Sequence, residues 1–216
     1  MVTNKFGDFV PRLITACILV TFFLVFYIYA KISLSYSFIA ILLTILLYEW
    51  PHLIKHQQYL WLITPFYPIA PFIFLILLNQ SPERRLLIFM FTLSALFDSS
   101  GYFFGKLFGK HPLAPTISPY KTWEGLIAGF IMAWILGPVL MQALHMNNLG
   151  WLTLPFITIC CILAFMGGVI ISWFKRRAGV KDSSNLLPGH GGLLDRFDSV
   201  MLTSVFLYSI KTYLIS

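Results

Sequence analysis

Between residues 172 and 198 the chain packs three carboxylates, five cations, a histidine and a glycine-rich turn into one segment. It reads Ser172-Trp173-Phe174-Lys175-Arg176-Arg177-Ala178-Gly179-Val180-Lys181-Asp182, then Pro188-Gly189-His190-Gly191-Gly192-Leu193-Leu194-Asp195-Arg196-Phe197-Asp198. Asp195 and Asp198 stand at i, i+3 and share one face if a helix begins there, with oxygens suited to Mg²⁺. Gly189, Gly191 and Gly192 allow the backbone to approach a phosphate closely. His190 taken alone reads more readily as a hydrogen-bonded loop residue than as a ligand. For the segment as a whole the competing reading is a solvated ion-pair network that fixes the loop. Together the residue types favour a phosphate and divalent-metal site.

A second segment runs Gly105-Lys106-Leu107-Phe108-Gly109-Lys110-His111-Pro112 and then Ser118-Pro119-Tyr120-Lys121-Thr122-Trp123-Glu124-Gly125. Ser118 or Thr122 can cap the helix that follows, and Glu124 falls in its first turn. Backbone N–H groups at a helix N-terminus, with Lys121 beside them, suit a phosphate. An ordinary basic loop before a capped helix explains the segment equally well. Upstream, Asp98 lies inside an apolar stretch, where an ionised group is costly and normally faces a polar cavity, a partner or a metal. The alternative is an interfacial Asp that reaches headgroup water.

These residues must be held by elements of an unusual composition. Of 216 residues, 58% are hydrophobic, 17% aromatic and 11% charged, against roughly 25% charged in a soluble domain. That excludes a soluble enzyme, a disordered chain and a secreted disulfide scaffold. The sequence predicts an all-α, polytopic integral membrane protein with about seven transmembrane helices, near 12–30, 32–48, 59–78, 85–105, 123–144, 151–171 and 199–215. Pro65, Pro68 and Pro71 predict a kinked or broken third span. The first span follows Lys5 and Arg12 but is too long for a signal core, and further spans follow it. Cys17, Cys160 and Cys161 sit in apolar runs and read as small hydrophobes. The chain divides into N-terminal membrane helices over 1–80 and a catalytic region over 81–216.

Placing the N-terminus in the cytoplasm puts eleven of the fifteen Lys and Arg on that side: Lys5, Arg12, Lys55, Lys106, Lys110, Lys121, Lys175, Arg176, Arg177, Lys181 and Arg196. Lys31, Arg84, Arg85 and Lys211 fall outside or late in a span. The bias follows the positive-inside rule. Loops 106–122 and 172–198 are separated by two spans and therefore share the cytoplasmic face. Charges gathered at one face, rather than spread near the midplane, also argue against a transporter. Nucleic acid is not an expected partner.

At these residues the chain resembles the phosphatidate cytidylyltransferase (CDP-diacylglycerol synthase) family. Ser172, Lys175, Arg176, Lys181, Asp182, His190, Gly191, Gly192, Asp195, Arg196 and Asp198 match its C-terminal signature. Asp98, Tyr102, Phe103, Gly105, Lys106, Ser118, Pro119, Lys121, Thr122, Glu124 and Gly125 match its upstream motif. The similarity covers roughly residues 85–215; the first 80 residues resemble the family only in hydropathy.

The resemblance implies transfer of CMP from CTP to phosphatidic acid, giving CDP-diacylglycerol and pyrophosphate. By that resemblance Asp195, Asp98 and Asp198 are the metal-binding acids for Mg²⁺, with a monovalent cation left open beside it. Asp195, Asp198, Asp182, Lys181 and Arg196 form the catalytic set. Lys121, Ser172, Lys175, Arg176, His190, Gly191 and Gly192 bind substrate phosphate. The two substrates bring roughly five to six negative charges, which a metal and several cations would clamp. The resemblance further implies a homodimer, and the compact architecture a bacterial inner membrane. Two positions depart from the family: its usual Asp and Glu before the signature are Gly168 and Ile171 here. Loss of a carboxylate weakens divalent-metal affinity. A paralogue that binds nucleotide or lipid without full turnover therefore stays open, as does a CTP-dependent transferase acting on another membrane lipid.

Overall fold

The computed structural model describes residues 9–55, 58–147, 149–187 and 191–214. Lys5, Pro188, Gly189 and His190, named above, lie outside the described residues. Helix α1 (Phe9–Tyr29) stops where Ala30 leaves helical geometry (φ −142°, ψ 67°), and α2 (Lys31–Thr44) starts at once. A π-helical turn at Ile45–Glu49 carries α2 directly into α3 (Trp50–Ile54). The proline-rich segment breaks as its sequence predicts. Tyr67 is non-helical (φ −155°, ψ 111°) inside Pro65–Ile69, and α4 (Ala70–Gln80) then resumes with Pro71 in its first turn, where a missing N–H costs nothing. Helix α5 (Arg85–Phe108) leads into a short antiparallel hairpin, β1 (Pro112–Ala114) and β2 (Ser118–Thr122). Helices α6 (Trp123–Ala143), α7 (Thr153–Arg177) and α8 (Leu194–Leu214) complete the chain.

Five helical stretches among the described residues are long and apolar enough to cross a membrane: Lys31–Ile54, Leu60–Gln80, Arg85–Phe108, Trp123–Ala143 and Gly150–Arg177. The all-helical membrane architecture is as expected, but two of the seven expected spans do not reach that standard. The apolar stretch described in α1, Cys17–Tyr29, is shorter. Helix α8 carries Asp195, Arg196, Asp198 and Lys211, which dilute its hydropathy.

Helix α5 packs along α6, α7 along α8, and α4 against α8. The first contact is close because it is lined by glycine: a methyl at Gly125 would overlap the carbonyl oxygen of Gly101 and reach 3.0 Å from the Cα of Gly105. Small residues permit such approach where lipid, not water, surrounds the bundle. One buried core joins Phe38, Trp50 and Phe72 to Phe89, Ile171 and Met201 among the described residues. Large apolar side chains such as Ile18, Ile28, Ile127 and Val139 face outward, as a lipid-facing surface requires.

The four cations left outside the main bias meet at one end of the bundle. Lys31 Nζ donates to the Gln80 carbonyl (2.9 Å), Arg84 to the Tyr27 carbonyl (2.7 Å) and Arg85 to the Leu144 carbonyl (3.1 Å). Lys211 lies 3.5 Å from Glu83. The first three cap helix ends, and none of the four holds any part of the carboxylate cluster. Lys211→Gln is expected to cost about 1 kcal/mol, read as a melting midpoint lowered by about 2–4 °C, with the chemistry of the opposite end unchanged.

Candidate active site

At that opposite end a cavity of about 350 Å³ opens between α5, β2, α6, α7 and α8. Asp98, Lys121, Gly168, Asp195, Asp198 and Ser199 are among the residues lining it. Three separate parts of the sequence supply the charged groups. Asp98 projects from α5. Lys121 projects from β2, whose end is fixed because Thr122 caps α6 through the Gly125 N–H (3.2 Å). Asp195 and Asp198 come from the first turns of α8.

Lys121 reaches the space beside Gly168. A Cβ at Gly168 would stand 3.2 Å from Lys121 Nζ and 3.7 Å from Asp198 Oδ2, so the ammonium and the carboxylate flank the space that Gly168 leaves free. The ammonium also sits 4.6 Å from the centre of the Phe165 ring, a favourable cation–π placement. Asp98 interacts electrostatically with Lys121, Ser199 and Arg196. Asp98 and Asp198 repel each other, and two facing carboxylates draw in a cation.

Asp195 is held differently. Lys175 Nζ lies 2.6 Å from its Oδ1. Its Oδ2 accepts from the backbone N–H of Ser183 (2.9 Å), the N–H of Gly192 (3.1 Å) and the Ser183 hydroxyl (3.1 Å). Asp195 therefore folds the loop between α7 and α8 around itself while lining the cavity. Gly191 adopts φ +78°, a backbone region that favours glycine. A methyl at Gly192 would overlap the Ser183 hydroxyl and come within 2.6 Å of Glu49 Oε1.

The remaining expected residues fall outside the lining. Arg176 ties the two loops together, donating from Nε to the Ile117 carbonyl (3.1 Å) and from Nη1 to the Val180 carbonyl (3.4 Å). Ser172 is half-buried on α7, and Lys181, Asp182 and Arg196 are exposed around the turn and the start of α8. One residue that the sequence motifs do not include is central here. Glu49 is fully buried and hydrogen-bonded into the loop from a distant helix. A lone acid inside an apolar stretch is a signal in itself, and the rule that marks Asp98 applies to Glu49 as well.

Among the described residues no cluster of three or more His, Cys, Asp or Glu could hold a metal ion. Mg²⁺ does not need one: it commonly takes one or two carboxylates and completes its shell with water and substrate phosphate. Asp98 and Asp198, facing one cavity beside Lys121, fit that donor set.

Similarity to known proteins agrees with the geometry. A family model described as the cytidylyltransferase family matches residues 9–214. The phosphatidate cytidylyltransferase of Staphylococcus epidermidis is 46% identical over 126 residues, 57% of this chain and 47% of that protein. The corresponding Staphylococcus aureus protein is 41% identical over 123 residues, again 47% of its length. This chain thus spans about half the length of the staphylococcal relatives. The phosphatidate cytidylyltransferase of Rickettsia typhi is 35% identical over 210 residues, 94% of this chain and 92% of that protein. The family-model match runs through α1 to α8 and includes both halves of the cavity, so the chain belongs to the cytidylyltransferase family.

Proposed function

We propose that the chain transfers CMP from CTP to phosphatidic acid, releasing pyrophosphate and leaving CDP-diacylglycerol in the membrane. The observation that carries this reading is the juxtaposition of Asp98 and Asp198 with Lys121 in one cavity, in a family whose similar members bear that activity in their names. A phosphate oxygen of the lipid attacks the α-phosphorus of CTP. The bond from that phosphorus to the oxygen bridging the α- and β-phosphates breaks, and the pyrophosphate departs with the electron pair. Lys121 neutralises phosphate charge as it develops, while the Lys175–Asp195 pair fixes the loop that frames the cavity. Asp98 and Asp198 would hold Mg²⁺, which supplies further charge stabilisation to the phosphates. An apolar groove bordered by Tyr67, Val169, Ile170 and Phe174 lies beside Gly168 and Lys175 and suits an acyl chain of the lipid. The cation bias supports loops that face the cytoplasm, the compact architecture supports a bacterial inner membrane, and the family resemblance supports a homodimer.

Gly168 favours a second reading, in which the site binds nucleotide or lipid without turnover. The experiment uses protein purified in detergent micelles with phosphatidic acid and CTP labelled at the α-phosphate, with and without Mg²⁺. Metal-dependent label in the lipid phase is the expected result. Folded protein that transfers no label, while its Gly168→Asp variant does, would replace the first reading with the second. In that variant the new carboxylate would meet Lys121 directly.

A further inference from the structure

Glu49 is the last residue of the π-helical turn Ile45–Glu49, and its carboxylate accepts four hydrogen bonds from the loop that frames the cavity. Oε1 accepts from the Ser184 hydroxyl (2.7 Å) and the Leu193 N–H (2.8 Å). Oε2 accepts from the Leu194 N–H (2.7 Å) and the Ser183 hydroxyl (3.1 Å). Leu194 is the first residue of α8, so the donors include N–H groups that a helix leaves without an internal partner. A negative group there is also favoured by the helix dipole. Such a cap normally comes from the residue just before the helix. Here it comes from 145 residues away.

The acid is built in firmly. It is fully buried, and no cation forms an ion pair with it among the described residues. The adjoining Trp50 is also fully buried. Its indole N–H donates to Thr64 (2.8 Å) and its ring packs 5.1 Å from that of Phe174, next to Lys175. The extra residue in a π-turn rotates the chain beyond it, and such turns occur frequently at functional sites. The Ser183 hydroxyl lies 3.1 Å from both Glu49 Oε2 and Asp195 Oδ2. Its single proton is shared between the two acceptors, so the two acids are coupled through it.

We infer that Glu49 is a positioning residue: from the N-terminal helices it caps α8 and sets the place of Asp195, and through the first turns of α8 that of Asp198, for the reaction proposed above, on which this inference rests. It touches no reacting atom. Its role is to convert a loop of glycine and serine into a fixed frame, and effective catalysis depends on such fixing.

The test compares Glu49→Gln with Asn79→Ala. Asn79 is a fully buried residue bonded to Lys31 and Ser35 at the opposite end of the bundle. Two readouts are taken: amide hydrogen exchange over 183–187 and 191–194, which needs no turnover, and the kcat and Mg²⁺ dependence of label transfer. The carboxamide that replaces the carboxylate would present a donor to donors. Glu49→Gln should speed exchange in the loop by about tenfold or more, lower kcat by roughly 10–100-fold and raise the Mg²⁺ concentration needed for half-maximal rate. Asn79→Ala should lower the melting midpoint and leave all three unchanged. Wild-type exchange in the Glu49→Gln loop would overturn the inference. So would losses of kcat that track melting midpoint equally in both variants. Wild-type protein that transfers no label defeats the proposed reaction instead, and the exchange arm still decides the role of Glu49. If Glu49→Gln does not survive purification, Ser184→Ala removes one donor to Oε1 and should shift exchange and kcat several-fold in the same directions; no shift there is equally fatal.

Discussion

Asp195→Asn is expected to abolish label transfer and to loosen the protein at the same time. The carboxylate it replaces serves Lys175 on one oxygen and three loop donors on the other. The Asn amide has one accepting oxygen, and its NH₂ group must face a donor whichever way it turns. The largely buried Lys175 ammonium then loses the carboxylate it is bonded to. Breaking such a pair from one side costs about 3–5 kcal/mol, and loss of preorganised charge in the cavity should lower kcat by at least about 100-fold. Melting and transfer measurements on the same preparation check both effects. Combining it with Lys175→Met separates them: removing the orphaned cation should restore much of the melting midpoint and none of the transfer. Near-normal transfer in the single variant would remove Asp195 from the site.

Gly167→Ala should be nearly as damaging, though it adds only a methyl group and removes no polar atom. That methyl would overlap the backbone carbonyl oxygen of Asp198. A side chain could rotate away, but a carbonyl in the first turns of α8 cannot, so α8 must move relative to α7. Overpacking of this kind costs about 1–3 kcal/mol. A displacement of about 1 Å in a group beside the chemistry can cost roughly 100-fold in rate. The expected result is protein that folds, with a modestly lower melting midpoint and a turnover lower by that factor. Transfer at the wild-type rate would mean that the separation of α7 and α8 does not set the position of Asp198.

Much of the cavity is legible in the amino-acid sequence. Asp195 and Asp198 at i, i+3, Lys121 before a capped helix, and Asp98 in an apolar stretch are each recognisable by type and spacing. All four line one space. What spacing does not reveal is which cation meets which acid. Arg176 reads as a phosphate ligand beside Lys175, and spacing does not show that its Nε and Nη1 also bond the Ile117 and Val180 carbonyls, because the hairpin brings Ile117 against the end of α7. The hairpin itself is hidden by prolines that read as plain loop. Span counting fails at α8 for a related reason: the charges that make its first turn useful depress the hydropathy by which spans are counted. Glu49 escapes a reading by motif because its partners are local to one another and far from it along the chain, so no window contains both.

The cap on α8 also fixes an order of events during synthesis. Glu49 emerges from the ribosome 145 residues ahead of Leu194, an interval of about 7–30 s at ordinary elongation rates. Until the loop before α8 and α8 itself are made, the helix that carries Glu49 has an acid without its four donors, and an acid at a helix centre would oppose membrane insertion by about 2.5–3.5 kcal/mol. Glu49 stands near the end of the stretch Lys31–Ile54, which keeps that acid close to the aqueous boundary until the last helix arrives to bind it.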